Sequence, residues 1–283
     1  MTAGWLAIER ATAGPARPRR PFFLGTDEVG SVDAGHAEAL RGLSPRLHVG
    51  QEAVRLDVPL HAADAEFAQL NERLRARGLI VAWRDEPYPV MHPVTGARLA
   101  RIERASSRFW GTLTFGAHAT GYLPGRDGRP AAVWIARRSP HKATDPGMLD
   151  NLIGGGVPDG QTPEETLVRE GWEEAGLRPE QMACARPGRR IRLARDIPEG
   201  FQHERLSSFD LALPEGLAPS NQDGEVAGFQ LMAPQEALAR AAAGEMTVDA
   251  TLVMLDFALR HGLLPAPQAQ ALERRASALW FDA

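Results

Sequence analysis

The sequence predicts an α/β (α+β) protein built from two lobes. Three observations lead there. Apolar segments of strand length are mixed with a few of helical period. The chain has 283 residues, a length more often divided into two domains than held in one. A glycine-rich loop in its second half runs directly into a strongly capped helix.

Along the chain, Gly14 to Pro21 is rich in Pro and Arg and reads as an irregular lead-in. Asp64 to Arg77 is expected to be helical, with Phe67, Leu70 and Leu74 at helical spacing and Gly78 as its stop. Leu79 to Trp83 reads as a strand, and Arg84 to Arg98 as a turn-rich connection. The pattern becomes strand-like near Ile102, which puts a boundary near residue 105, with a lobe over 1–105 and a second domain over 106–283. Phe109 to Phe115, Ala117 to Leu123 and Ala131 to Ala136 are expected strands, with a turn at Gly125 to Pro130. Ile191 to Ala194, Leu206 to Leu213 and Glu225 to Met232 follow as strands, and Pro234 to Ala243 and Val248 to Arg260 as helices.

Composition narrows the function classes. Acidic residues outnumber basic ones, 36 to 32, for a net charge of -4, so no broad basic field exists for a nucleic-acid backbone or an anionic membrane. No stretch approaches the roughly 18 apolar residues of a membrane helix; the best, Thr251 to Leu264, is interrupted by Asp256, Arg260 and His261. No secretory leader is read in the first residues, and the one cysteine, Cys184, forms no intrachain disulfide. Both features suit a reducing cytoplasm.

The segment from Gly154 to Leu177 carries the functional argument. Gly154, Gly155 and Gly156 make a close-approach loop. Thr162 fits an N-cap with Glu165 three residues on, Pro163 suits the first helical position, and Gly176 suits the stop. At about 100° per residue, Leu167, Val168, Gly171, Trp172 and Ala175 share an arc expected to face the core, and Glu170, Glu173 and Glu174 share the adjacent arc. Carboxylates at i, i+3 and i+4 repel by about 0.2–0.5 kcal/mol per pair. A solvated acidic face would explain them, but so would a hard cation such as Mg²⁺ held among them.

This segment resembles the Nudix box, G-x5-E-x7-R-E-U-x-E-E-x-G-U with U aliphatic. Gly155, Arg169, Glu170, Glu173, Glu174, Gly176 and Leu177 match in register, while Gln161 replaces the first glutamate and Gly171 the helical aliphatic residue. The resemblance implies the Nudix fold, a mixed β-sheet sandwiched between helices, and hydrolysis of a phosphoric anhydride bond. It implies Glu170, Glu173 and Glu174 as ligands of Mg²⁺, with Mn²⁺ as an alternative. Glu170 would double as catalytic base, and Arg169 would orient the carboxylates. The mid-helix Gly171 costs about 1 kcal/mol relative to alanine, and close packing against a strand is the expected reason.

Further stretches extend the resemblance over most of the chain: Val81 to Tyr88, Glu103 to Ala105, Gly116 to Tyr122, Trp134 to Ser139, Lys142 to Asn151, Asp223 to Val226 and Asp256-Phe257. They resemble the Nudix subfamily with an extra N-terminal domain, related to the Nudix part found beside thiamin pyrophosphokinase in fungi. That resemblance implies a small-molecule diphosphate as substrate, namely thiamin diphosphate or its oxidised or deaminated forms, cleaved to the monophosphate. It also makes a homodimer a common assembly. Alternatives are a nucleotide-sugar or ADP-ribose pyrophosphatase and a non-catalytic Nudix-like binding module, the latter favoured by Gln161 and Gly171.

Individual residues have competing readings. Arg138 and Lys142, with Arg137, are candidates to neutralise the diphosphate or are surface charge. His118 is a substrate contact or a hydrogen-bonded core histidine. Trp83, Tyr88, Trp110 and Trp134 stack on a heteroaromatic ring or pack a core. Gly155 is expected to let the backbone approach the substrate. Glu204 and the Asp223/Glu225 pair are a further acidic ligand or base, or solvated turn residues.

Overall fold

A computed structural model of the chain describes residues 4–281. Helix α1 (Ala7–Thr12) comes first and packs with the second half of the chain: its Ile8 and Ala11 join a core with Val133, Leu193 and Phe257. The lobe that follows holds β1 (Arg19–Leu24), β2 (Asp27–Asp33), α2 (Ala34–Ala37), β3 (Leu47–Val49), β4 (Val54–Leu56) and α3 (Leu60–Ala76). Its four strands form a sheet in the order β2-β1-β4-β3, with β1 and β4 parallel. Of the stretch read as a lead-in, Gly14 to Pro18 lie outside any strand and Arg19 to Pro21 open β1, and residues Leu79 to Trp83 form no strand. Ala82 and Asp85 instead take left-handed backbone angles in a turning segment.

The hairpin β5 (Pro87–Met91) and β6 (Arg98–Glu103) leads into α4 (Arg104–Trp110). Phe109 and Trp110, expected on a strand, lie on this helix and pack with Phe22 and Phe67 in the lobe's core. Glu103 caps α4 by accepting from the Ala105 amide, and Gly111 ends it in a left-handed conformation. This local capping overrides the β preference of the aromatic pair.

Beyond α4 lie β7 (Leu113–Pro124), β8 (Pro130–Arg138), β9 (Leu149–Asp150), β10 (Ile153–Gly156), α5 (Pro163–Ala175) and α6 (Pro179–Met182). They are followed by β11 (Arg186–Ile197), β12 (Gly200–Ala212), β13 (Val226–Met232), α7 (Pro234–Ala243), α8 (Val248–Arg260), α9 (Ala266–Ala276) and β14 (Trp280–Phe281). The eight-stranded sheet runs β13-β8-β7-β12-β11-β14, with β10 on β7 and β9 on β8. β7 and β12 are parallel and β11 and β12 antiparallel, so the sheet is mixed. Helices α1, α7, α8 and α9 cover one face, and α5 and α6 the other.

Helix α5 begins as its sequence predicts, with Thr162 and Glu165 closing a reciprocal capping box. Its buried face differs from the expected arc. Thr166, Leu167, Glu170, Gly171, Glu174 and Ala175 are buried, while Trp172 is 51% exposed. The helix is rotated so that two glutamates point inward. Gly171 is explained by α6 and not by a strand: a Cβ there would lie 2.7 Å from Met182 Sδ.

Candidate active site

The two lobes enclose a cavity of about 640 Å³. Its floor is the glycine loop Gly154 to Gly156 on β10, one wall is α5, and another is the hairpin and α4 of the N-terminal lobe. The lobes are joined beside it by Arg98 to Asp159 at 2.8 Å, Arg84 to Glu225 at 2.6 Å, and the Asp159 amide donating to Pro87 O at 2.8 Å.

The glycine loop is needed because side chains occupy the space a Cβ would take. A Cβ on Gly155 would lie 2.1 Å from Glu170 Oε1, and one on Gly156 would lie 1.5 Å from the Tyr88 hydroxyl. Gly155 thus permits approach of a protein carboxylate to the backbone. The Gly154 amide donates to Glu174 Oε2 at 2.8 Å, tying the loop to α5.

The carboxylates are held by cations. Arg169 places Nη1 2.8 Å from Glu173 and Nη2 2.9 Å from Glu170, the latter without good hydrogen-bond alignment. Its Nη2 also lies 4.0 Å from Glu86 of the N-terminal lobe. Gln161, in place of the box's first glutamate, accepts from Thr166 Oγ1 at 3.0 Å and from Arg169 Nε at 3.5 Å, so the orienting contact survives without the charge. Lys142 sits between Glu174, at 3.6 Å, and Glu225, which it contacts closely.

Burial pushes the Glu170 carboxyl up, opposed by Arg169 and reinforced by Glu173. Burial pushes Glu174 up to about 8 against the pull of Lys142. Glu225 behaves oppositely: burial would raise it, but hydrogen bonds from Lys142 and Arg84 hold it down at about 2. Glu204 on β12 is half-buried at the same cavity, hydrogen-bonded by Gln202 Nε2 at 2.7 Å, and its carboxyl is pushed up by burial and by Asp249.

Which of these groups suit a divalent cation follows from their chemistry. Glu170, Glu174 and Glu204 are oxygen donors whose burial makes an unpaired negative charge costly, the situation a hard cation relieves. As placed, they face Arg169, Lys142 and Gln202, and among the described residues no group of three or more His, Cys, Asp or Glu side chains converges as metal ligands. What suits a hard cation is the chemistry of the donor set, carboxylate oxygens lining or bordering one cavity beside the glycine loop.

Of the residues singled out by sequence, Arg169, Glu170, Glu173, Gly155, His118, Arg138 and Lys142 line the cavity, and Glu174 lies just beneath. His118 lines the cavity from β7, and its Nδ1 is 3.0 Å from Asn151 Oδ1, the hydrogen-bonded arrangement of a core histidine. Arg138 is committed elsewhere, to Asp150 at 2.7 Å and to the carbonyls of Thr144 and Asp145. Trp83 is not at this site. It borders a separate hollow of the N-terminal lobe, donates to Asp85 at 2.7 Å, and lies under Arg75. Trp110 is in the lobe's core and Trp134 packs beneath α5, leaving Tyr88 as the one member of the aromatic quartet that lines the cavity. Glu86, Arg104, Arg108 and Gln202 also line it. Glu86 and Arg104 fall within the stretches Val81 to Tyr88 and Glu103 to Ala105 that carry the wider resemblance, but no linear spacing ties them, Arg108 or Gln202 to the glutamate helix.

Residues 116–251 match the NUDIX domain, and residues 7–114 match a domain of unknown function, DUF4743. The chain is 32% identical to Nudix hydrolase 24, chloroplastic, of Arabidopsis thaliana, over 86% of this chain and 68% of that one. It is 37% identical to Nudix hydrolase 20, chloroplastic, of the same plant, over 70% of this chain but only 52% of that one. An uncharacterised yeast protein, YJR142W of Saccharomyces cerevisiae, is 31% identical over 65% of this chain and 57% of its own length. The chain thus spans between about half and two thirds of these curated relatives. Among solved structures, DR0079 from Deinococcus radiodurans aligns with a TM-score of 0.46 at 24% identity, covering 60% of this chain and 99% of that one.

Proposed function

The chain belongs to the Nudix hydrolase family, and from that premise we propose that it is a Mg²⁺-dependent diphosphatase of a small organic diphosphate. We take thiamin diphosphate and its oxidised or deaminated forms as preferred substrates, with a monophosphate and phosphate as products. The observation that carries the reading is the shared cavity, where the buried face of the glutamate helix meets a glycine loop and a cationic wall.

A bound divalent cation supplies Lewis acidity at the phosphoryl oxygens and lowers the pKa of a bound water. Glu170, Glu174 and Glu204 would hold it, with Glu173 at the outer edge. Arg169 restrains Glu170 and Glu173 from opposite ends of one guanidinium. Glu170, with its carboxyl raised by burial, is the group suited to accept a proton from attacking water. The cavity wall from the N-terminal lobe, including Tyr88 and Glu86, is the part that would read the organic body and its charge.

Support for the thiamin skeleton comes from the subfamily resemblance, which is an analogy at the level of fold. The direct test compares kcat/KM for thiamin diphosphate, its oxidised analogues, ADP-ribose and NADH with one metal. Thiamin compounds are expected to lead, and a tenfold advantage for ADP-ribose would replace the substrate while leaving the chemistry.

A further inference from the structure

We propose that Arg104 and Arg108, both on α4 of the N-terminal lobe, form the clamp that binds the phosphoryl oxygens of the substrate. The inference rests on the diphosphatase reading and assigns the anion-binding role to a different lobe from Arg138 and Lys142. Helix α4 has two faces. Phe109 and Trp110 enter the lobe's aromatic core, while Arg104, Ser107 and Arg108 line the cavity. An i, i+4 pair on a helix has Cβ atoms about 5–6 Å apart, so both guanidinium forks can meet oxygens of adjacent phosphoryl groups.

The hydrogen-bond inventory decides between the cations. A guanidinium has five N–H donors. Arg138 spends its own on Asp150 and on the backbone and hydroxyl of Thr144 and the carbonyl of Asp145. Lys142 is pinched between two carboxylates. Arg104, by contrast, makes one side-chain hydrogen bond among the described residues, Nη1 to Glu86 at 2.8 Å. The nearest carboxylate to Arg108 is Glu199, at 3.8 Å. Arg104 is also placed over the reaction floor. Its guanidinium carbon is 3.4 Å from where a Gly156 Cβ would stand and 5.5 Å from the Tyr88 ring centre. A planar fork with free donors, fixed on one edge by a glutamate, is suited to a tetrahedral oxyanion. A substrate with a charged phosphoryl tail meets the clamp, and a neutral ester does not.

The test uses the full chain and methylenediphosphonate, a non-hydrolysable diphosphate, by calorimetry with and without Mg²⁺. Arg104→Ala should weaken binding about tenfold or more, as expected for loss of charge-assisted hydrogen bonds, and free guanidinium should recover part of it. Arg108→Ala should weaken it severalfold. Arg126→Ala removes the same charge at an exposed turn outside the cavity and should leave the Kd within about twofold. Unchanged affinity in Arg104→Ala overturns the clamp. So does a loss that guanidinium leaves unrestored together with a lower Tm, which marks Arg104 as packing between lobes. Turnover of thiamin diphosphate is followed in parallel. A wild-type chain that binds the probe through Arg104 but hydrolyses no diphosphate refutes the diphosphatase reading and leaves the clamp standing.

Discussion

Cation binding at the glutamate helix should expel a proton, and Glu174 sets how much. Burial pushes its carboxyl up to about 8, beyond what Lys142 at 3.6 Å recovers. At pH 7 a carboxyl of that pKa is protonated in roughly nine of ten molecules. A cation requires the ionised form, so Mg²⁺ should release about 0.9 proton per chain at pH 7 and about half a proton at pH 8. Calorimetric titration of Mg²⁺ in two buffers of different ionisation enthalpy measures the number directly. Glu174→Gln should remove most of it. A heat of binding independent of buffer at pH 7, or an unchanged proton count in Glu174→Gln, would refute the placement of Glu174 as a buried carboxyl turned over to the cation. The same shift sets a stability slope without cation. The folded pKa of about 8 lies above the free value of 4.5. The contribution of Glu174 is therefore fully present below about pH 4.5 and is lost as pH rises through about 8. The metal-free Tm should fall across that window, and less so in Glu174→Gln.

Other substitutions test the packing around the site. Gly156→Ala would bring a Cβ within 1.5 Å of the Tyr88 hydroxyl, and kcat/KM should drop at least about tenfold from a displacement near 1 Å; activity equal to wild type would show that the hairpin is not seated on the loop. Gly171→Ala gains about 1 kcal/mol of helix propensity but meets Met182 Sδ at 2.7 Å, where overpacking costs about 1–3 kcal/mol. Urea denaturation should show no gain in stability, and a gain of about 1 kcal/mol would mean that α6 gives way freely. Gln161→Glu restores the box's charge beside Arg169 and should raise stability by about 0.2–1 kcal/mol; a marked loss would mean that the added charge disturbs the Glu170 and Glu173 pairing.

Local signals were readable where they are self-contained. The capping box and the left-handed Gly176 of α5 follow from neighbouring residues, and α7 and α8 run over the bounds their periodicity predicts. Strands of the N-terminal sheet escaped because their apolar runs are short and interrupted: Arg19–Leu24 reads RRPFFL, and its parallel partner Val54–Leu56 is three residues long and distant in sequence. Trp172 shows how a periodicity argument errs by a fraction of a turn. Hydrophobicity alone put it inside, but Glu170 and Glu174 take the buried face because Arg169, Lys142 and the Gly154 amide await them. The glutamates and Arg169 could be assigned from one segment. Glu86, Tyr88, Arg104 and Arg108 reach the site only through the docking of a second lobe, which no local pattern encodes. Trp83 fails for the converse reason, since a Pro- and aromatic-rich stretch says nothing about which side of the lobe it faces.

The central claim, that Glu170 on α5 drives hydrolysis of an organic diphosphate, is tested most directly by ³¹P NMR of thiamin diphosphate incubated with Mg²⁺ and the wild-type chain or Glu170→Gln. The wild type should convert the two coupled diphosphate resonances into those of thiamin monophosphate and inorganic phosphate, and a folded Glu170→Gln should be slower by about 10² or more, as for loss of a group acting in the transition state. Equal rates in the two proteins would contradict the account.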